Sequence, residues 1–211
     1  KLLNNTGFSD TTGSFTDLTT ELSGFFQRSS GHILSGAQGE NMVFSPVNLY
    51  MELCMTAEIT SGDSRRQILN LLEGDSIEDL RENAKTVWNR SFCEGDSEML
   101  LANSLWMDNS TDFNQQVLDV LARDYYADSF RGEPGSEEYN NMFHDWLNQR
   151  TDGLLKDEVA KERIFDETVM GLASTTFFKA SWLDKFNSEY STEGIFNGAK
   201  GEETCTYMKD E

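Results

Sequence analysis

The hydrophobic pattern of the chain centres on the stretch from Glu167 to Phe186, with the sequence ETVMGLASTTFFKASWLDKF. Its apolar side chains do not alternate strictly with polar ones, so the pattern predicts a strand at 167–180 in the middle of a sheet, covered on both faces. Three hydroxyl side chains, Ser174, Thr175 and Thr176, lie at the centre of this run. Each hydroxyl costs roughly 1–3 kcal/mol if it is buried without a partner.

A second stretch, NMVFSPVNLYMELCMTAEI at residues 41–59, predicts a strand followed by a helix. Met42 to Phe44 is expected to form a short buried strand. Ser45 and Pro46 are a strong helix start, because a hydroxyl suits the N-cap and proline suits the first helical position. The helix is expected to run to about Thr60.

One polar stripe interrupts this otherwise apolar helix. Asn48, Glu52 and Thr56 recur every four residues and therefore lie on the same helical face. The rest of the surface is apolar, which predicts a largely buried helix. We expect this stripe to meet the hydroxyl cluster of the strand at 167–180.

Helical periodicity recurs through the first two-thirds of the chain, and a second two-sided strand is predicted at MLLANSLWM, residues 99–107. Loops are predicted at 29–40 and at 129–135, where glycine, serine or turn residues cluster. Further helices are predicted at 14–28, 64–73, 76–90, 111–125 and 136–149, and a hairpin at 194–208. This order of elements predicts an α+β fold, with a large sheet and helices packed on it. Both long strands are apolar on two faces, so they need more flanking strands than this sequence contains.

The charge is strongly acidic, with 37 Asp and Glu against 17 Lys and Arg and a net charge of −20. Repulsion between like charges argues against nucleic acid, an anionic membrane and a sulfated polysaccharide as partners. A solvated acidic surface is the simplest explanation. The cysteines Cys54, Cys93 and Cys205 are odd in number and far apart, which indicates neither a disulfide framework nor a zinc site.

Catalytic motifs are missing from the sequence, which contains no GxSxG, HExxH, P-loop or GxGxxG pattern. His32 and His144 are the only histidines, and neither is accompanied by a nucleophile motif. The sequence therefore predicts a protein that is not an enzyme and has no cofactor.

Three segments, in this order and at this spacing, resemble the serpin family of protease inhibitors. They are the stretch at 41–69 with its Phe-Ser-Pro start, FHDWLNQRTDGLLKD at 143–157 and GLASTTFFKASWLDKF at 171–186. Tyr207-Met208 lies where serpins usually have Pro-Met, and Ala180 where they usually have Gly. The resemblance covers residues 14–208.

The resemblance implies the serpin fold, in which a large central β-sheet, sheet A, has helices A to F packed around it. The chain from 1 to 211 is expected to be the N-terminal portion of one serpin domain, whose C-terminal half lies outside this sequence. The expected parts are a helical region at 14–92, sheet A strands at 99–108 and 167–180, a covering helix at 136–150, and the first hairpin of sheet C at 193–208.

The family resemblance also implies a function, the suicide inhibition of serine proteases from a metastable fold. A protease cleaves an exposed reactive-centre loop, is held as a covalent acyl-enzyme, and the loop then inserts as a new strand into sheet A. The implied partners are the target protease and the complementary C-terminal half, and the implied location is extracellular or secreted. A non-inhibitory carrier or chaperone is the main alternative, and an unrelated enzyme is a third hypothesis.

The resemblance assigns roles to five residues. Ser45, Asn48 and Ser174 match the shutter, a hydrogen-bond cluster beneath the opening sheet, and Trp182 with Lys179 match the breach, where the loop first enters. The family commonly has Ser at the position of Asn48 and Asn at that of Ser174. We expect a compensated swap in which the two side chains face each other. The alternative is independent drift with water in the gap, and for Trp182 the alternative is ordinary core packing.

The resemblance also matches the segment 76–90 to the helix that binds heparin in some serpins. Its acidic residues Glu78, Asp79 and Glu82 offset its basic ones. A polysaccharide cofactor is therefore not expected.

Overall fold

The computed structural model describes residues 15–37, 39–91, 93, 97–182, 184, 186–198 and 200–209, with side chains from residue 22 onward. Helices and strands alternate in the α+β order expected. The helices are α1 (Phe15–Leu34), α2 (Pro46–Ile59), α3 (Gly62–Leu71), α4 (Ile77–Arg90), α5 (Gln115–Asp124), α6 (Glu137–Arg150) and α7 (Lys156–Val159). The strands are β1 (Glu98–Asp108), β2 (Ala127–Gly132), β3 (Met170–Lys179), β4 (Thr192–Gly198) and β5 (Gly201–Tyr207).

The main sheet has three strands in the order β2-β1-β3. β1 is parallel to β2 and antiparallel to β3, with Asn103 opposite Ser174 in the register. The strand predicted at 167–180 is confirmed at Met170–Lys179, and its place in the middle of a sheet stays a prediction, because the further flanking strands were expected outside this sequence. Among the described residues β3 is an edge strand, because β1 is its only neighbour, and its end is exposed at Phe178.

The free edge of β3 has a definite set of backbone groups. Asp108 donates its N–H to the carbonyl oxygen of Val169 at 3.0 Å, so this pair bonds across the β1–β3 boundary. Backbone groups alternate between the two sides of a strand, and in an antiparallel pair every second residue bonds to the neighbour. By this alternation Ser174 and Thr176 direct their N–H and C=O groups away from β1, toward the free edge.

Helix α6 covers one face of the sheet with an aromatic cluster. The ring of Trp106 in β1 stacks on Phe130 of β2 at 4.1 Å and meets Tyr139 edge-on at 5.5 Å. The Tyr139 hydroxyl accepts a hydrogen bond from the Met107 N–H at 2.9 Å and donates to the Met107 carbonyl at 3.0 Å. The helix at 136–150 is thereby confirmed as a cover of the sheet.

The other face of the sheet carries the helical layer, whose centre is α2. Tyr50, Met51, Cys54 and Met55 are completely buried there, as the apolar pattern predicted. A buried carboxylate ties the neighbouring helices to α2. Glu58 accepts two hydrogen bonds from Arg81 of α4, at 2.6 and 2.8 Å, and a third from the hydroxyl of Tyr125 at 2.9 Å.

A second buried carboxylate, Asp124, joins α5 to α4. Arg123 donates two hydrogen bonds to it, at 2.9 and 2.6 Å, and the Lys85 ammonium lies 3.1 Å from its Oδ1. These cations, Arg123 foremost, hold the pKa of the Asp124 carboxyl below its ordinary value of 3.8.

Three local predictions differ from the structure. α1 continues through the predicted loop to Leu34, since Ser29 bonds back to the Phe25 carbonyl at 2.8 Å instead of breaking the helix. Residues 42–44 form no strand, because no neighbouring strand pairs with them among the described residues, and Val43 is exposed. The predicted turn at 129–135 is mostly the parallel strand β2.

Helix boundaries shift at two further places. α3 begins after Ser61 and not at Ser64, and α5 begins at Gln115, later than predicted, with Asn114 as its N-cap. The predicted start of α1 at Ser14 lies outside the described residues. None of the helices in the described part of the chain is long and apolar enough to cross a bilayer.

The substitution Tyr139→Phe tests how α6 is held on the sheet. It removes the hydroxyl that pairs with both backbone groups of Met107, so we expect the free energy of unfolding to fall by about 1–3 kcal/mol. Denaturant unfolding of the full-length protein measures this change. Tyr126→Phe, whose ring stacks on Trp88, is the control and should change stability by less than about 0.5 kcal/mol. Equal effects of the two substitutions would contradict the role of the Tyr139 hydroxyl.

The depressed pKa of Asp124 predicts how stability depends on pH. As the pH falls, the unfolded state takes up the proton first, so the contribution of Asp124 is present above its ordinary pKa of 3.8 and is lost as the pH falls through the lower folded value. Unfolding midpoints measured between pH 7 and pH 2 should show a steeper acid loss in the wild type than in Asp124→Asn. Asp119→Asn, on the exposed side of α5, should keep the wild-type slope.

Candidate functional site between α2 and β3

The start of α2 is fixed by the Ser-Pro pair that the sequence predicted. Ser45 has extended backbone, and its hydroxyl oxygen accepts the N–H of Asn48 at 3.3 Å. The same hydroxyl donates to the Asn48 Oδ1 at 2.8 Å. Pro46 follows at the first helical position. Two of the predicted shutter residues, Ser45 and Asn48, are therefore bonded to each other at the N-terminus of α2.

The polar stripe of α2 lies against β3. Asn48 accepts a short hydrogen bond at its Oδ1 from the hydroxyl of Thr176. Glu52 lies one turn further along the same stripe of α2. Burial raises the pKa of Glu52 above its ordinary value, and the Ser174 amide partly offsets this rise. Thr56 bonds within α2, to the Glu52 carbonyl at 2.7 Å.

The hydroxyl of Ser174 has a different partner, because it donates to the Oδ1 of Asn103 in β1 at 2.9 Å. Asn103 is completely buried, and its amide group donates to the Tyr125 carbonyl at 2.9 Å. A continuous set of hydrogen bonds therefore leads from β3 through β1 to the end of α5. The Tyr125 hydroxyl continues it to Glu58 of α2.

The predicted pairing of Asn48 with Ser174 is wrong in this structure. An amide and a hydroxyl do meet across the gap between helix and strand, but the hydroxyl is that of Thr176. Ser174 turns to Asn103 instead. The sequence reasoning missed Asn103 as a member of the site. Its signal was a lone amide in the otherwise apolar run MLLANSLWM.

Thr175 points to the opposite face of the sheet from Ser174 and Thr176. It is buried, and its hydroxyl has no hydrogen-bond partner among the residues that the structure describes. The hydroxyl cluster is thus divided. Two of its members anchor β3 to α2 and β1, and the third lies on the face that α6 covers.

The two predicted breach residues lie apart from this cluster, at and beyond the end of β3. Lys179 is the last residue of β3, opposite Glu98 in the register, and its side chain is exposed. Trp182 is 71% exposed and meets Phe186 edge-on at 5.9 Å. Among the described residues, Trp182 therefore contacts Phe186 outside the two buried clusters, and its role stays a prediction. The described side chains contain no cluster of three potential metal ligands.

The comparison with protein families decides the assignment. The family model described as "Serpin (serine protease inhibitor)" matches residues 23–210. The chain belongs to the serpin family. Its main sheet, with α6 across one face and α2 beneath the other, is therefore part of the serpin fold, as the sequence resemblance predicted.

Several serpins are similar to this chain. Serpin-Z1 of Arabidopsis thaliana is 29% identical over 177 residues, 79% of this chain and 46% of that protein. The leukocyte elastase inhibitor of Xenopus laevis is 26% identical over 173 residues, 80% and 46% of the two chains. "Probable non-inhibitory serpin-Z5" of Arabidopsis thaliana is 28% identical over 167 residues, 74% and 38%.

A solved structure confirms the fold independently of the sequences. The structure of Arabidopsis AtSerpin1 in its native stressed conformation has a TM-score of 0.82 at 24% identity, and the match covers 93% of this chain and 53% of that one. The chain thus spans about half the length of the serpins it matches.

Double-mutant cycles test the observed pairing. We expect a coupling free energy of about 0.5–3 kcal/mol for Asn48→Ala with Thr176→Val, because their side chains share a hydrogen bond. The cycle of Ser174→Ala with Asn103→Ala should give a similar value. Denaturant unfolding of the full-length protein supplies the free energies.

The control cycle combines Asn48→Ala with Ser174→Ala, two residues that the structure gives different partners. Its coupling free energy should be clearly smaller than that of either bonded pair. A coupling free energy that is larger for Asn48 with Ser174 than for Asn48 with Thr176 would support the pairing predicted from the sequence and contradict the structure.

Proposed function

We propose that this chain is the N-terminal portion of a serpin that inhibits serine proteases by inserting its cleaved reactive-centre loop into the main sheet. The target protease is held as a covalent acyl-enzyme while the loop inserts. Both the loop and the complementary C-terminal half are supplied by residues beyond this chain. Family membership supports the general class, protease inhibition, and the name of the Xenopus relative is that of an inhibitor.

The observation that carries the proposal is the direction of the backbone groups of β3, whose side away from β1 has no strand beside it among the described residues. Ser174 and Thr176 direct backbone groups away from β1, and an unpaired edge is a template for a further strand. The side chains of the same two residues are anchored, to Asn103 and Asn48. β3 is thus held by α2 and β1, and the backbone groups on its other side have no strand partner among the described residues.

The cluster of Ser45, Asn48, Thr176, Ser174 and Asn103 is proposed to act as the shutter. It lies under β3 and links that strand to both α2 and β1. A sheet that opens at the edge of β3 must keep or rearrange these hydrogen bonds, so the cluster sets how easily the sheet opens.

Lys179 and Trp182 are proposed to lie at the breach, where an inserting loop first meets the sheet. Lys179 is the last residue of β3, and Trp182 follows three residues later. An extracellular or secreted location is part of the proposal. A polysaccharide cofactor is not part of it, since the acidic residues of α4 oppose one.

A non-inhibitory carrier or chaperone is the second candidate. It is favoured by the relative described as "Probable non-inhibitory serpin-Z5", which is as similar to this chain as the others. The same sheet and the same cluster serve both candidates. They differ in whether the loop inserts fast enough to hold the protease.

The decisive experiment mixes the full-length protein with a panel of serine proteases and examines the products on denaturing gels. Inhibition by loop insertion predicts a complex that survives SDS, because the acyl bond is covalent. The same protease with its catalytic serine blocked is the control and should give no complex. Cleavage of the protein by every protease without such a complex would contradict the inhibitory function and support the carrier.

A further inference from the structure

The peptide bond between Tyr125 and Tyr126, at the junction of α5 and β2, has an unusual backbone conformation. Tyr125 is the C-cap of α5, with a ψ of 0°, and Tyr126 has a φ of 53°. A positive φ is costly for a residue that carries a β-carbon. Such a conformation persists only where the surrounding structure holds it in place.

This peptide carries the carbonyl oxygen on which the shutter cluster depends. The Tyr125 carbonyl accepts a hydrogen bond from the side-chain amide of Asn103 at 2.9 Å, and Asn103 accepts one from the Ser174 hydroxyl at 2.9 Å. A half-turn of the peptide plane would give Tyr126 a negative φ in the ordinary β region and so relieve its cost. The same half-turn would place the Tyr126 N–H where the carbonyl oxygen was, so that two donors would face each other at the Asn103 amide.

Two contacts with the helical layer oppose this half-turn. On one side of the peptide, the completely buried Tyr125 donates its hydroxyl to Glu58 of α2 at 2.9 Å. Burial raises the pKa of the Tyr125 hydroxyl, so the hydroxyl remains a donor at neutral pH. On the other side, the ring of Tyr126 stacks on Trp88 of α4, with the ring centroids 3.9 Å apart.

The partners of the two tyrosines are fixed in their turn. Arg81 of α4 donates two hydrogen bonds to the Glu58 carboxylate, at 2.6 and 2.8 Å. The indole N–H of Trp88 donates to the Leu101 carbonyl of β1 at 3.1 Å. Both contacts that hold the peptide therefore lead to α4, one through Glu58 and the other directly.

We propose that Tyr125 and Tyr126 are positioning residues of the shutter. Their contacts with α2 and α4 hold a strained peptide, whose carbonyl keeps the Asn103 side chain in place to accept the Ser174 hydroxyl of β3. The inference rests on the proposed function, because it takes this cluster as the shutter. It adds the junction of α5 and β2 to the parts of the chain that set how firmly β3 is held.

The test measures the coupling free energy between Asn103 and Ser174 in the full-length protein, from denaturant unfolding of the cycle Asn103→Ala with Ser174→Ala. The cycle is repeated in the background of Tyr125→Phe, which loses only the hydroxyl that bonds to Glu58. We expect the coupling to fall to about half of its wild-type value or less, because the Tyr125 carbonyl is held less firmly. Tyr139→Phe is the matched control, since it also removes a buried tyrosine hydroxyl, and it should lower stability without changing this coupling.

A second pair of variants tests the strain, and it also serves if Tyr125→Phe does not fold. Tyr126→Ala and Tyr126→Gly both remove the ring that stacks on Trp88, but only alanine keeps the β-carbon that makes a positive φ costly. The coupling between Asn103 and Ser174 should therefore be weaker in Tyr126→Ala than in Tyr126→Gly. Equal couplings in these two variants would overturn the proposal, and so would a wild-type coupling in Tyr125→Phe.

The outcomes separate this inference from the proposed function. A reduced coupling in Tyr125→Phe supports the positioning role even if the protein forms no SDS-stable complex with any protease. In that case the two tyrosines position a structural cluster that is not a shutter. Unchanged couplings in every variant contradict the positioning role and leave the proposed inhibition of proteases standing.

Discussion

The structure depends on how the backbone of β3 satisfies its hydrogen bonds. Every second residue bonds to β1, and the intervening N–H and C=O groups face the other way. An unpaired backbone group is costly when buried and invites another strand when exposed. Side chains hold β3 on α2 and β1, and its outward backbone groups have no strand partner among the described residues.

The securing bonds come from two sides. Asn48, held at the start of α2 by Ser45, accepts the Thr176 hydroxyl. Asn103 of β1 accepts a hydrogen bond from the Ser174 hydroxyl and donates one from its side-chain amide to the Tyr125 carbonyl. Burying a side-chain amide costs desolvation free energy, which is offset only when both its oxygen and its NH₂ group are hydrogen-bonded. In Asn103 both groups have a hydrogen-bond partner. The central polar cluster is therefore a structural requirement of the fold as well as a candidate switch.

Much of this arrangement was predictable from local signals. The Ser45-Pro46 start, the buried α2, the strand at β3 and the covering helix α6 follow from capping and periodicity, which depend on neighbouring residues. Pairings between distant residues were not predictable in the same way. Ser174 and Thr176 carry equivalent hydroxyls on one face, so only the relative placement of α2 and β3 decides which of them meets Asn48. β2 was not predicted, because its six residues include Arg131 and Gly132 and so have a weak hydrophobic pattern. The strand predicted at Met42 did not form, because it has no partner strand in the described part of the chain.

The most direct test of the account is a crystal structure of the full-length protein after cleavage by a serine protease. The account predicts a new strand beside β3, with its carbonyl oxygens bonded to the backbone N–H groups of Ser174 and Thr176. The hydrogen bonds between β3 and β1 should be unchanged. A cleaved protein in which β3 keeps the neighbours it has before cleavage, with the loop outside the sheet, would contradict the account.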